Sequence, residues 1–136
     1  GESIIERLRE SGYRPRDGYQ YDEFEGLDPR SPELQKLYAR EPTGERRVHI
    51  HIREIGRFNH HYALLFRDHL IANPDVAALY AEFKRQAAAA FPADIDGYLA
   101  LKAPVFGMLH GLAENWSKRV GWKPVNNGAG PTSACT

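Results

Sequence analysis

Two periodicities divide this chain, and together they restrict its fold more than any other feature. From Asn59 to Arg119 the apolar residues return every three to four positions: Tyr62, Leu65 and Phe66; then Val76, Leu79, Tyr80, Phe83 and Ala87; then Ile95, Tyr98, Leu99, Phe106, Leu109, Leu112 and Trp116. That is the 3.6-residue period of helices with one buried face. Upstream, "RRVHIHIRE" alternates instead, setting Val48, Ile50 and Ile52 against Arg47, His49, His51 and Arg53, as a half-buried strand does. Strands first and helices second imply the α+β class: a small mixed or antiparallel sheet with the C-terminal helices packed on one face. The apolar side of the strand is expected to meet the helices, leaving its polar side to solvent or a cleft.

Local signals place the remaining elements. Ser3 and Glu6 have capping-box spacing and Gly12 supplies a stop, so a short helix opens the chain. Residues 13–24, rich in Tyr and charge and broken by Pro15 and Gly18, read as one or two short strands. In "DPRSPELQKLYAR", Ser31 is placed to cap and Pro32 to begin a helix carrying Leu34, Leu37 and Tyr38 on one side, before "EPTGE" turns the chain. Asn73 and Pro74 separate the first two long helices. The third spans about Asp94 to Arg119, with Pro104 expected to kink or restart it and Gly121 to end it. The organisation expected is one domain over residues 1–120 and a polar, disordered tail over 121–136.

Eighteen basic residues balance eighteen acidic ones, so no general grip on nucleic acid is expected. The single cysteine, Cys135, has no partner within the chain, and no apolar run nears the roughly 18 residues of a membrane span. A reducing cytoplasmic location without membrane association is the expectation. Gly1 reads as the scar of a removed tag, with the chain beginning inside a longer protein.

The alternating strand carries the candidate chemistry. His49 and His51, two residues apart on one face, can act on protons or share a metal, while Arg47 and Arg53 can hold phosphate or carboxylate through paired hydrogen bonds. The rival reading is a plain solvated face. His60 and His61 are adjacent at a helix start and point apart, so they are secondary. Arg67 reads as a substrate clamp or as the partner of a local acid such as Asp68. Lys84 reads as a lysine stretched along an apolar surface, and Lys102 as either that or a phosphate contact. Asp94 and Asp96 have the spacing of a magnesium-binding pair, but they open a helical pattern, where a cap and a first-turn acid are the better description. Glycine-rich phosphate loops, nucleophile elbows and CxxC pairs are absent from the sequence.

Four stretches, "ERRVHIHIRE", "HYALLFRDHLIANPDVAALYAEFKRQAAAAFP", "DIDGYLALKAPV" and "AENWSKRVGWKP", resemble the C-terminal two thirds of the GrpB family, and the likeness runs over about residues 2–124. The resemblance implies a nucleotidyltransferase-like fold, in a domain that also occurs fused to dephospho-CoA kinases. It also implies a Gly-Ser turn and a pair of metal-binding acids upstream of "SIIERLRESGY", and neither is in this sequence. The fold expected is therefore one lacking the N-terminal strands. Three functions stay open. The first is a nucleotidyltransferase-like domain using His49 and His51 as catalytic residues and Arg47, Arg53, Arg67 and Lys102 to bind a small anionic or nucleotide-like ligand. Mg, Mn or Zn is the expected divalent cofactor, with His49 and His51 as ligands. The second is a non-catalytic binding module that completes itself as a homodimer, and the third is a histidine-based metalloenzyme.

Overall fold

A computed structural model describes residues 3–125. It is an α+β protein whose described residues divide into two compact units, with the boundary between Ala63 and Leu64. In the first unit, helix α1 (Ile4–Glu10) opens on the anticipated capping box, with the Glu6 amide donating to Ser3 Oγ at 3.2 Å and the Ser3 amide to Glu6 Oε2 at 2.7 Å. Strands β1 (Arg14–Pro15), β2 (Lys36–Arg40) and β3 (His49–Arg53) form an antiparallel sheet in the order β1-β2-β3. The alternating stretch is therefore a strand over its last five positions, and Arg47 precedes it in the loop.

The helix expected after Ser31 is not formed. Ser31 does cap, accepting from the Glu33 amide at 3.2 Å, but the turn is a 3₁₀ segment of three residues, Pro32–Leu34, and the chain then enters β2. Leu34, Leu37 and Tyr38 fit a helical spacing, yet Lys36, Tyr38 and Arg40 also alternate with Leu37 and Ala39, and pairing with β3 selects the second period. Leu34 and Ala39 are fully buried. The β2–β3 connection turns at Pro42–Glu45, where Gly44 adopts φ 87°, a conformation costly for any residue with a Cβ.

The register fixes which groups share a side. Lys36 lies opposite Arg53, Tyr38 opposite His51 and Arg40 opposite His49, so these six side chains occupy one face of the sheet. The Arg16 amide donates to Tyr38 O at 2.9 Å and the Lys36 amide to Gln20 O at 2.8 Å, so the main-chain groups of Lys36 and Tyr38 turn away from β3. Their opposites in a non-hydrogen-bonded register, Arg53 and His51, turn their own main-chain groups away from β2. No strand lies beyond β3 among the described residues.

Helix α2 (Phe58–Ala72) crosses the boundary between the units, and α3 (Pro74–Ala90) and α4 (Ile95–Val120) complete the second. Leu65, Tyr80, Ala87 and Ala113 are buried there, with Phe66 stacked on Phe106 at 4.7 Å and edge-on to Tyr80 at 5.6 Å. α4 continues through Pro104 without a restart and ends at Gly121, φ 67°, as anticipated. Asp94 is the cap that its position suggested, accepting from the Gly97 amide at 2.9 Å. The tail residues 126–136 fall outside the described residues.

Gly97 is required by crowding, since a Cβ there would lie 2.5 Å from both Asp94 Oδ2 and Phe91 Cδ1. Gly97→Ala should destabilise the protein by about 1–3 kcal/mol, although helix propensity alone would favour alanine by about 1 kcal/mol. Urea unfolding of the two proteins checks this; a stabilised variant would mean that the cap relaxes freely.

Candidate functional site

The shared face of β2 and β3 is built around Asp22, a buried carboxylate in the connection between β1 and β2. Lys36 Nζ donates to its Oδ1 at 2.8 Å, Arg53 Nε to its Oδ2 at 2.8 Å, and the second Arg53 nitrogen to Oδ1 at 3.1 Å. The fully buried Asn59 adds its amide to Oδ2 at 3.2 Å while also donating to Gln35 O at 2.8 Å. Burial alone would raise the Asp22 pKa, but the hydrogen bonds from Arg53 and Lys36 outweigh it and hold the carboxyl below its ordinary value. Tyr62, one turn after Asn59, sets its ring 5.8 Å from the Arg53 guanidinium and packs with Phe58 and Phe24. The opening turn of α2 thus reaches the polar side of β3, where the sequence pattern had suggested the apolar side. Asn59 gives the reason: its amide satisfies a carboxylate that would otherwise be buried with one lone pair unused.

A second carboxylate anchors the other end of the face. Glu41 accepts from Arg14 at 3.0 Å, from Arg40 Nε at 2.9 Å and from the Val48 amide at 3.0 Å, and the Arg40 and Val48 bonds hold its pKa down to about 2. Asp22 pairs with two cations, Lys36 and Arg53, and Glu41 with two more, Arg14 and Arg40. Two carboxylates against four cations leave the face positive by two charges.

Between these anchors lie Tyr38, His49 and His51. The Tyr38 hydroxyl and His49 Nδ1 share a hydrogen bond of 2.5 Å, Tyr38 faces the His51 ring at 5.0 Å, and Tyr19 covers its other neighbourhood at 5.2 Å. The His51 pKa is pushed down to about 4, first by partial burial and then by the charges of Lys36 and Arg53. At neutral pH His51 is an uncharged imidazole, still more than a third exposed, in a positive field.

Of the residues singled out from sequence, His49, His51 and Arg53 come together on this face. Arg47 is exposed in the loop before β3. Arg67 and Lys102 belong to the second unit. There Arg67 Nε donates to Asp68 Oδ1 at 2.7 Å, and Trp122 Nε1 donates to the other Asp68 oxygen at 2.9 Å. Asp22, Lys36, Tyr38, Asn59 and Tyr62 join His49, His51 and Arg53 on this face, although the sequence pattern marks none of the five as a site residue. The alternation in "KLYAR" was the available signal for Lys36 and Tyr38; Asp22 had none.

The donor set does not fit a divalent cation. Three His, Cys, Asp or Glu side chains in ligating proximity are not found among the described residues. His49 Nδ1 is engaged by Tyr38, His51 stands beside two cations, and both Asp22 oxygens are taken. The arrangement suits an anion: Lys36 and Arg53 retain donors beyond those given to Asp22, and neutral His51 can accept or donate a proton.

Comparison with known proteins is consistent with the resemblance seen in the motifs. The family described as GrpB protein matches residues 1–110. A protein named dephospho-CoA kinase from Mycolicibacterium paratuberculosis is 39% identical over 90 residues, covering 66% of this chain and 22% of that protein. UPF0157 protein YqkA of Bacillus subtilis is 34% identical over 100 residues, covering 74% of this chain and 27% of its own. A dephospho-CoA kinase of Mycobacterium leprae is 36% identical over 78 residues, covering 57% and 19%. The chain thus spans about a quarter or less of the length of these relatives.

Asp22→Asn should cost about 3 kcal/mol at neutral pH, because it leaves two cations short of their counter-charge in a buried setting. The folded pKa of Asp22 is depressed, so its contribution is present above the unfolded value near 4 and is lost as pH falls through the folded value. Denaturant midpoints measured from pH 7 down to about 3 should therefore fall less steeply in the variant than in the parent. Parallel acid limbs would contradict this assignment.

Proposed function

The chain belongs to the GrpB family, and we propose that the polar face of β2 and β3 binds a phosphorylated or otherwise anionic small molecule. The observation that carries this reading is the uncompensated positive charge around His51: burial and the charges of Lys36 and Arg53 keep its ring neutral, and an oxyanion placed there would relieve that field. In this reading the free donors of Arg53 and Lys36 meet the anion and Tyr38 stacks beside it. His51, positioned against Tyr38, takes or gives a proton at the reacting oxygen. Nucleotidyl transfer is the reaction suggested by the nucleotidyltransferase-like fold that the family resembles, and it rests on that analogy. Two relatives bear the name of a phosphoryl-transfer enzyme. The chain spans about a fifth of each, so their name supports a class of ligand here and not their reaction.

A second reading is favoured by the edge of β3, beyond which no strand lies among the described residues. Outward-turned main-chain groups at His51 and Arg53 invite a further strand, and a non-catalytic module would pair through it with another copy.

Calorimetric titration with ATP and with inorganic pyrophosphate, using adenosine as the uncharged control, separates the two. Saturable binding of the phosphorylated compounds, weakened about tenfold in His51→Ala, is the expected result. Absence of heat from either compound, or binding indifferent to His51→Ala, would overturn the anion-binding face. A sedimentation mass near twice 15.4 kDa that falls on dilution would then support the module.

A further inference from the structure

The second unit holds a pair of cations that the sheet face does not use. The sequence repeats one short pattern, Tyr-x-x-x-Lys, at Tyr80/Lys84 on α3 and at Tyr98/Lys102 on α4. Residues four apart lie one above the other on a helix, so each tyrosine stands one turn before its lysine. The two helices are joined by residues 91–94 and pack against each other, as short connections make antiparallel neighbours do. Running antiparallel, they bring Lys84, one turn before Ala88, level with Lys102, one turn after Tyr98.

Lys84 Nζ sits 4.6 Å from the centroid of the Tyr80 ring, and Tyr80 is buried. Lys102 is half-buried, and its pKa is lowered first by that burial and then by the charge of Lys84. The Tyr80 pKa is raised by burial and by Tyr98, which places the two phenols within reach of each other's field. Neither lysine forms an ion pair with a carboxylate among the described residues; the nearby Glu82 is committed to Arg85 and Gln86, and Asp94 to its own helix cap.

Two like charges held together and partly withdrawn from water cost free energy unless something answers them. A lysine merely stretched along an apolar surface would carry its ammonium away from the other. One helical turn from each lysine, Ala88, Phe91, Ile95 and Tyr98, together with the capping Asp94, line an open concavity of about 380 Å³ between the end of α3 and the start of α4. A negatively charged head against the lysines would leave room there for an apolar remainder.

We propose that Lys84 and Lys102, each one helical turn beyond a tyrosine, form a binding site for a phosphoryl-type oxyanion, distinct from the face of β2 and β3. Its source is either free phosphate or the phosphoryl group of a small organic molecule whose remainder lies against Phe91 and Tyr98. The two ammonium groups together offer up to six hydrogen-bond donors for the oxyanion.

The test follows the ammonium resonances of Lys84 and Lys102 by NMR in the full chain, during titration with inorganic phosphate and, separately, with phenyl phosphate. Saturable shifts of both lysine signals are expected, with binding weakened at least tenfold in Lys84→Met and in Lys102→Met. Each variant should also melt at or above the parent temperature without phosphate, because a repulsive neighbour has gone. Tighter binding of phenyl phosphate than of phosphate identifies an organic phosphate as the ligand; equal binding identifies phosphate itself. Lysine signals that do not move with either probe, or binding that persists in both variants, would overturn the proposal. Because the readout is local, an anion bound near His51 cannot be mistaken for one bound here.

Discussion

A single buried carboxylate organises the first unit. Asp22 draws Lys36 from β2, Arg53 from β3 and Asn59 from the first turn of α2 onto one pair of oxygens, joining segments up to 37 residues apart in sequence. Its charge cannot be withdrawn without leaving those cations buried against each other, so the side-chain arrangement of the face depends on it. The aromatic packing of Phe24, Phe58 and Tyr62 sits directly beside this cluster and shields it from water. Shielding strengthens each ion pair and raises the cost of losing any member.

What that cluster leaves over is positive charge. Neutralising only half of the cations creates a field in which an imidazole stays uncharged at neutral pH, and His51 occupies that place. Glu41 repeats the arrangement at the far end with Arg14 and Arg40 and pins the Val48 amide, which sets where β3 begins. Between the two anchors, the 2.5 Å bond from Tyr38 to His49 fixes one ring nitrogen and leaves His51 as the freer imidazole. The same two carboxylates that hold the sheet face together therefore also leave it with a surplus of positive charge.

The helical half was legible in the sequence because its signals are local. Asp94 caps, Gly121 stops and Pro74 begins a helix through contacts within a turn of themselves, and 3.6-residue periodicity reports them directly. β2 was not legible, because Leu34, Leu37 and Tyr38 satisfy a helical spacing as well as a strand, and only the pairing with β3 decides between them. The strand face was half legible: His49, His51 and Arg53 follow from alternation, whereas Arg47 lies one turn of the loop too early. Asp22 could not be found, since its partners lie 14, 31 and 37 residues away and no spacing rule links them. Arg67, by contrast, forms an ion pair with the residue beside it, a contact local enough to be read from sequence.

The positive field at His51 is the quantity on which the functional reading stands, and the imidazole itself reports it. NMR titration of the His51 ring, without ligand and then with saturating pyrophosphate, measures it directly. The account requires an apparent pKa near 4 in the free protein, moving upward when the oxyanion binds because negative charge favours the imidazolium. An ordinary value near 6.5 that pyrophosphate leaves unchanged would show that no such field exists, and the face would then be the solvated side of a sheet.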